Sequence, residues 1–303
     1  ISGKGGTGKT SIVASFAALA GNAVLADCDV DAADLHLVLE PEIQRREPFS
    51  GGKRARLDPG LCRGCGKCSE LCRFGAVLAD RPHEPPGGRI YRIDPIACEG
   101  CGVCAWFCPE QAIVLEQAIN GEWFVSDTRH GPMVHAKLGI AEENSGKLVS
   151  TVRQEARRIA QALKRDLILI DGSPGIGCPV IASITGASLI LVVTEPTVSG
   201  LHDLNRVTDL AKHFAVPAMV CVNKWDLNPE VAMMTETHAL RRGLRVAGRI
   251  RYDRGVTQAQ VARKSVVEYQ RNGCAEDIRS AWEAVRRELD RSPDVSGGER
   301  RGS

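Results

Sequence analysis

Twelve cysteines occur in this chain of 303 residues, and eight of them lie between Cys62 and Cys108. They form two runs of identical spacing, C-x-x-C-x-x-C-x-x-x-C, one beginning at Cys62 and the other at Cys98. In a reducing compartment, such dense and repeated spacing indicates metal ligation rather than disulfide bonds. The chain must therefore fold so that two sets of thiolates converge within a small, loop-rich unit.

Each run has the spacing of a bacterial ferredoxin, in which the fourth cysteine ligates the other [4Fe–4S] cluster. This resemblance implies two ligand sets, namely Cys62, Cys65, Cys68 and Cys108, and Cys98, Cys101, Cys104 and Cys72. Zinc is the alternative, but zinc sites usually combine two ligand pairs that are well separated in sequence. Arg73 stands where the ferredoxin run has proline, whereas Pro109 conforms, and a positive charge near one cluster favours its reduced state.

A second motif lies at residues 3–10, where the sequence fits the phosphate-binding template G-x-x-x-x-G-K-[ST]. An apolar pattern over Lys9 to Ala20 predicts that a helix follows directly, which a simple glycine-rich turn does not require. In such a loop the lysine, Lys9, reaches the β/γ oxygens and the hydroxyl of Thr10 binds Mg²⁺. The loop residues predicted to close on the phosphates are Gly5, Gly6, Thr7 and Gly8.

Lys4 is a second lysine early in this loop. With it, the loop resembles the deviant Walker motif of the MinD/ParA-type P-loop ATPases. The resemblance implies that Lys4 reaches the nucleotide of the partner subunit in an ATP-bound homodimer, so that hydrolysis depends on dimerisation. The other interpretation of Lys4 is a solvated loop lysine.

Three aspartates follow predicted interior strands. Asp29 is the first candidate, and Asp31 the second, for the switch I carboxylate that orients the attacking water or a magnesium-bound water. Asp171 ends the apolar run 167–170 and corresponds to a Walker B carboxylate near Mg²⁺, with residues 172–177 as switch II; its alternative is a surface aspartate at a strand end. Ser173 replaces the proline usual in this switch II.

Residues 223–226 read Asn-Lys-Trp-Asp and follow a predicted strand at 218–222. They resemble the N-K-x-D motif of related nucleotide-binding proteins, which implies that Asn223 and Asp226 bind the base. In G proteins this motif selects guanine, whereas the loop at residues 3–10 has the ATPase form. ATP is therefore the expected nucleotide, with GTP as the alternative, and a plain turn is the other interpretation.

The remaining cysteines and two histidines have weaker patterns. Cys28 and Cys221 lie in or beside predicted strands and are expected to be small buried side chains. Cys178 follows Asp171 at the offset of a cluster ligand in the nitrogenase iron protein, so it is either a bridging metal ligand or a buried thiol at a helix start. His36 and His135 are expected to be structural.

Apolar strands alternate with helical patterns over most of the chain, which predicts an α/β fold with a mostly parallel sheet covered by helices on both faces. We expect a discontinuous P-loop domain at residues 1–48 and 112–290. Residues 49–111 are expected to form an inserted α+β ferredoxin-like domain with two [4Fe–4S] clusters, and residues 291–303 a disordered tail. The chain opens at Ile1, so the first strand that this fold requires is expected to be missing or truncated.

Charge and hydropathy exclude several functions. The 39 Lys and Arg nearly balance the 37 Asp and Glu, so nothing favours nucleic-acid binding. The longest apolar run, near residues 189–193, is far shorter than a membrane span, and no secretory signal opens the sequence. We expect a cytoplasmic protein that does not bind membranes.

The order of these motifs resembles the MinD-superfamily ATPases with an inserted ferredoxin domain, over the chain to about Leu289. That resemblance implies an ATP-hydrolysing iron–sulfur protein in which closure of a homodimer is coupled to electron transfer with a redox partner. One alternative is an ATP-dependent carrier, like the related Mrp-type proteins, that delivers iron–sulfur clusters to an acceptor. Another is a positioning ATPase without redox function.

Overall fold

The computed structural model describes residues 1–83, 88–139 and 145–291. The expected disordered tail lies, apart from Arg291, outside the described residues. The chain divides into a large unit, residues 1–46, 123–137 and 145–303, and a small unit, residues 47–122 and 138–144. The small unit is therefore an insertion in the large one.

The helices, in chain order, are α1 (Lys9–Ala20), α2 (Leu35–Leu39), α3 (Lys67–Leu71), α4 (Val103–Trp106), α5 (Ser145–Ala162), α6 (Cys178–Ile184), α7 (Val198–His213), α8 (Pro229–Arg241), α9 (Gly255–Val261), α10 (Val266–Tyr269) and α11 (Cys274–Arg291). The strands are β1 (Ala23–Cys28), β2 (Glu42–Phe49), β3 (Gly52–Leu57), β4 (Val77–His83), β5 (Gly88–Ile93), β6 (Ile113–Ala118), β7 (Gly121–Thr128), β8 (Gly131–Leu138), β9 (Leu167–Gly172), β10 (Ile190–Thr194), β11 (Ala218–Asn223) and β12 (Arg245–Ile250).

Two segments form the sheet of the large unit. Their strand orders are β2-β7-β8-β1-β9 and β10-β11-β12. β1 pairs in parallel with β8 and β9, and β11 pairs in parallel with β10 and β12. Ile1 exchanges backbone hydrogen bonds with β10, and Ser2 forms a parallel bridge with Pro174 just after β9. Ile1 and Ser2 thus occupy a strand position between the two segments.

Helices cover both faces of this sheet, because successive strand residues point to opposite sides. Val193 and Cys221 pack with α1 and α11, including the ring of Trp282. Their neighbours Val192 and Val220 pack with α6, α7 and α8 on the other face. The predicted α/β fold with a mostly parallel, doubly covered sheet is confirmed.

The small unit consists of two antiparallel strand pairs, β3 with β6 and β4 with β5, together with the short helices α3 and α4. The longer of its two segments begins at residue 47 and runs past residue 111 to residue 122. The reason is β6, whose residues Ile113 and Ala118 pair with Leu57 and Gly52 of β3. The apolar run that begins at Ala112 therefore belongs to the insertion.

Candidate functional site

A glycine-rich loop at residues 3–8 leads directly into α1. Gly8, the last residue before the helix, has φ of 87°, a backbone conformation that favours glycine. A Cβ atom at Gly8 would lie only 2.4 Å from the amide nitrogen of Asn223. The loop ends at the N-terminus of a 12-residue helix, where backbone N–H groups and the helix dipole favour an anion. The predicted phosphate-binding residues therefore form one continuous loop and first helical turn, comprising Gly5, Gly6, Thr7, Gly8, Lys9 and Thr10.

Lys9 and Asp29 form a buried ion pair beside this loop. The Lys9 Nζ lies 3.3 Å from Asp29 Oδ2, and the two side chains are only 6% and 9% exposed. The backbone N–H of Asp29 donates to Asp27 Oδ1 at 3.2 Å, which fixes the turn after β1. Burial raises the pKa of Asp29, and the neighbouring Lys9 charge opposes this rise. The exposed Asp31 lies outside this pair.

Two more carboxylates are buried at the ends of adjacent strands. Asp27 on β1 and Asp171 on β9 are register partners and are 0% and 1% exposed. Burial raises the pKa of each, and the Asp171 charge raises that of Asp27 further. Asp27 Oδ2 and both Asp171 carboxylate oxygens have no hydrogen-bond partner among the described residues. Carboxylate oxygens are ligands that Mg²⁺ prefers, so this donor set fits a magnesium ion.

Two residues of the N-K-x-D motif donate hydrogen bonds to the glycine-rich loop at residues 3–8. Asn223 donates its amide to the Thr7 carbonyl at 2.8 Å, and Lys224 Nζ donates to the Gly6 carbonyl at 3.2 Å. Asp226, in contrast, is exposed and accepts the backbone N–H of Tyr252 at 2.6 Å. The structure therefore brings Asn223 to the phosphate loop and leaves Asp226 on the turn that follows.

Lys4 is held by residues that the sequence did not single out. Its Nζ lies 3.5 Å from Glu195 Oε2 and donates to Ser199 Oγ at 3.5 Å. Glu195 also accepts from Lys224 through its other carboxylate oxygen. The signal that could have found Glu195 is its position, because it directly follows the strand β10 at the edge where the phosphate loop lies.

Two cavities in the small unit are each lined by four cysteines. The lining of the first includes Cys62, Cys65, Cys68 and Cys108. The lining of the second includes Cys98, Cys101, Cys104 and Cys72. These are the two sets that the ferredoxin spacing implies, each with three ligands from one run and one from the other. Thiolates spread around a cavity fit a four-iron cluster, whereas zinc needs its sulfur ligands about 2.3 Å from one point.

The surroundings of these cysteines favour a bound cationic group. Burial raises the pKa of Cys68 to about 11 and also raises that of Cys104. Backbone N–H groups donate to Cys108 Sγ at 3.3 Å and to Cys98 Sγ at 3.5 Å. Such hydrogen bonds stabilise thiolate charge, and iron supplies the remaining compensation when it binds.

The other predicted residues divide into buried and exposed. Cys28 and Cys221 are fully buried, as expected. His135 is also buried, with its ring 2.8 Å from Ser126 Oγ, which agrees with a structural role. Cys178 opens α6, but its side chain is exposed, so the expectation of a buried thiol is wrong. The loop before α6 leaves this position at the surface.

Comparison with known proteins identifies both parts of the chain. Residues 42–112 match the model of the 4Fe-4S dicluster domain family. The uncharacterized protein MJ0578 of Methanocaldococcus jannaschii is 34% identical over 231 residues, which span 75% of this chain and 78% of that protein. The chain belongs to the MJ0578 family. A second protein of that organism, the uncharacterized MJ0579, is 22% identical over 75% of this chain and 79% of its own length.

Solved structures show the fold of this MJ0578-family protein. MinD of Pyrococcus horikoshii complexed with Mg-ADP has a TM-score of 0.55 at 17% identity, covering 94% of this chain and 93% of MinD. The MinC:MinD complex of Aquifex aeolicus also gives 0.55 at 17%, covering 97% and 96%. A ParA family ATPase of Chlorobium tepidum gives 0.51 at 16%, covering 94% and 96%. The chain thus has the MinD/ParA fold of P-loop ATPases and contains a 4Fe-4S ferredoxin-type domain.

Helices that could span a membrane were sought in the part of the chain that the structure describes. None there is both long and apolar enough.

Proposed function

We propose that this protein binds and hydrolyses ATP, that ATP closes a homodimer, and that two [4Fe–4S] clusters pass electrons to or from a redox partner. The observation that carries the proposal is the buried pair of Lys9 and Asp29. A phosphate bound to Lys9 competes for the ammonium group that holds Asp29. The segment that Asp29 begins leads through α2 and β2 into the insertion that carries the clusters.

Each residue of the phosphate site has a defined task in this proposal. The loop and Lys9 bind the phosphates, while Thr10 and Asp171 hold Mg²⁺, which neutralises phosphate charge. Asp29, once separated from Lys9, orients the attacking water. Lys4 reaches the nucleotide of the partner subunit.

Hydrogen bonds connect two parts of the large unit, one before and one after the 47–122 segment of the small unit. Arg129, in the turn after β7, donates to the carbonyls of Val38 and Leu39 at the end of α2, each at 3.1 Å. The entering strand β2 follows α2 by two residues, and the returning strand β7 ends just before Arg129. A displacement that begins at Asp29 therefore reaches the chain on both sides of the 47–122 segment.

An anaerobic redox titration followed by EPR tests the coupling. The clusters are titrated without nucleotide, with MgADP and with a non-hydrolysable ATP analogue. A nucleotide-dependent change of about 60 mV or more, a tenfold change in a one-electron equilibrium, is the expected result. Identical potentials in all three states would contradict coupling.

The phosphate-site assignment is tested separately. Lys9→Ala should abolish hydrolysis while the iron content stays unchanged, because the lysine and the clusters lie in different units. Lys212→Ala, which removes an exposed lysine at the end of α7, is the matched control and should keep the wild-type rate. Normal hydrolysis by the Lys9 variant would refute the site.

The exposed thiol of Cys178 favours a second candidate, a carrier that delivers clusters to an acceptor. An exposed thiol outside both cavities is available as an additional ligand during transfer. Incubation with an apo-ferredoxin and ATP distinguishes the two functions. Loss of iron from this chain with gain by the acceptor supports the carrier, whereas stable iron content supports electron transfer.

A further inference from the structure

Glu195 occupies a central position among the charged groups around the phosphate loop. Its carboxylate, 15% exposed, pairs with Lys4 through one oxygen and with Lys224 through the other. Lys224 in turn donates to the Gly6 carbonyl. A single carboxylate therefore connects two lysines from segments more than 200 residues apart in the sequence.

The local backbone fixes Glu195 in this place. Gly200 lies in the first turn of α7, and a Cβ atom there would lie 2.4 Å from the Glu195 carbonyl. The N-cap residue Thr197 accepts the Gly200 N–H at 2.9 Å. The absence of a side chain at Gly200 lets the helix begin close against Glu195, so the carboxylate is presented to the loop.

The backbone of Lys4 is also fixed, whereas its side chain is not. A Cβ atom at Gly3 would lie 2.1 Å from Asp203 Cβ, so the loop packs directly on α7. Ser2 Oγ donates to the Lys4 carbonyl at 2.7 Å. The Lys4 side chain, however, is 38% exposed, and in the part of the chain that the structure describes its side-chain contacts are those of 3.5 Å to Glu195 and Ser199. It can therefore change partner without movement of the loop.

Lys224 is the more firmly held of the two lysines. Its side chain is 29% exposed and has both Glu195 and the Gly6 carbonyl as partners. The ammonium groups of Lys4 and Lys224 share the Glu195 carboxylate. An anion such as a nucleotide phosphate therefore binds the more weakly held ammonium group first. That group is Lys4.

We propose that Glu195 is a positioning residue that holds Lys4 within its own subunit and releases it to the phosphates of a second subunit. This inference rests on the proposed ATP-dependent homodimer. The contact of Lys4 with Glu195 must break before the dimer closes, so the carboxylate opposes closure. Glu195 therefore raises the dimer dissociation constant. Through its ion pair with Lys224, it also keeps the glycine-rich loop in place when Lys4 moves to the second subunit.

The test is sedimentation velocity of the intact, cluster-loaded protein with a non-hydrolysable MgATP analogue. Glu195→Gln keeps the shape and removes the charge, and we expect it to lower the dimer dissociation constant about tenfold. Ser199→Ala removes the other Lys4 contact from an exposed position and should lower it about twofold. Asp209→Asn, which removes a carboxylate paired with Arg242 elsewhere on α7, is the matched control and should cause no change.

A double variant separates this role from a structural one. In a Lys4→Ala background, Glu195→Gln should have no effect on dimerisation, because there is no lysine left to release. An unchanged or higher dissociation constant for Glu195→Gln, or an effect that persists without Lys4, would overturn the inference. If the wild type forms no dimer with any nucleotide, the proposed function fails as well. Urea unfolding of each variant identifies any that has lost its fold. If Glu195→Gln is unfolded, the dimer dissociation constant of Ser199→Ala decides whether release of Lys4 promotes dimerisation.

Discussion

Replacing Gly8 with alanine should weaken nucleotide binding through an effect on Asn223. Gly8 has φ of 87°, and a side chain in this left-handed region costs roughly 1–2 kcal/mol. The new Cβ would lie 2.4 Å from Asn223 Nδ2, so the amide has to move. Asn223 is 8% exposed and donates to the Thr7 carbonyl at 2.8 Å. Losing that bond leaves buried polar groups unpaired, at about 1–3 kcal/mol.

Together the two effects amount to roughly 2–5 kcal/mol. Isothermal titration calorimetry with MgADP measures how much of this free-energy cost reduces nucleotide affinity. Urea unfolding measures how much of it reduces the stability of the nucleotide-free protein. Since each 1.4 kcal/mol is a factor of ten in affinity, half of the smaller total already weakens binding about fivefold. We expect a rise in the dissociation constant of about tenfold or more.

Two variants isolate the contact with Asn223. Gly21→Ala is the matched control, because Gly21 has φ of 68° and no described atom lies within 4 Å of the new Cβ. It should reduce stability by the backbone strain alone and leave affinity unchanged. In an Asn223→Ala background the clash disappears, so Gly8→Ala should then cost no more than Gly21→Ala. A Gly8 penalty equal to that of Gly21 in the wild-type background, or one unaffected by Asn223→Ala, would refute the reasoning.

Three further predictions concern the clusters, pH and the core. Cys65→Ala and Cys101→Ala each remove an exposed thiol from a different cavity. Each should lower the iron content from about eight to about four atoms per chain, and full iron in both would contradict the ligand sets. Burial lowers the pKa of His135 from 6.5 to about 4, so the unfolded state binds more protons between these values and stability falls as the pH drops through that window. Between pH 7.5 and 5.5 the wild type should lose about 1 kcal/mol more unfolding free energy than His135→Gln, and equal losses in urea titrations would contradict this. Trp282→Ala should cost about 3–5 kcal/mol in the same assay, because the buried ring packs 4.8 Å from that of Phe16; a cost below about 1 kcal/mol would show that the packing contributes little.

The elements that sequence alone predicted best are those with a strong local signal. The helix α1 has the predicted bounds because its apolar residues recur with helical period and Gly21, at φ of 68°, ends it. The strand β1 is buried along its whole length. Its continuous apolar run is typical of a strand that is covered on both faces of a parallel sheet. The cysteine spacing likewise anticipated which side chains share each cavity.

Elements that depend on distant partners were not predicted. β12 contains Arg245, Gly248 and Arg249, so its sequence carries no continuous apolar run, and it forms only because β11 supplies the pairing edge. The extent of the insertion depends in the same way on β6, which pairs with β3 more than fifty residues before it. Glu195 escaped notice for the same reason, since Lys4 lies 191 positions away. Local patterns carry no information about such pairings.

Hydrogen bonds join the start and the end of the long segment of the small unit, residues 47–122. The Asn120 N–H donates to the Phe49 carbonyl at 2.8 Å, and its side-chain oxygen accepts from Gly51 N–H at 2.8 Å. The segment 50–119 therefore begins and ends at neighbouring positions. A segment attached in this way can be gained or exchanged in a single genetic event, because the sheet around it needs no reconnection beyond a short turn. The same geometry makes the ferredoxin-type domain a replaceable module, which a designer can excise between Phe49 and Asn120 and exchange for another domain.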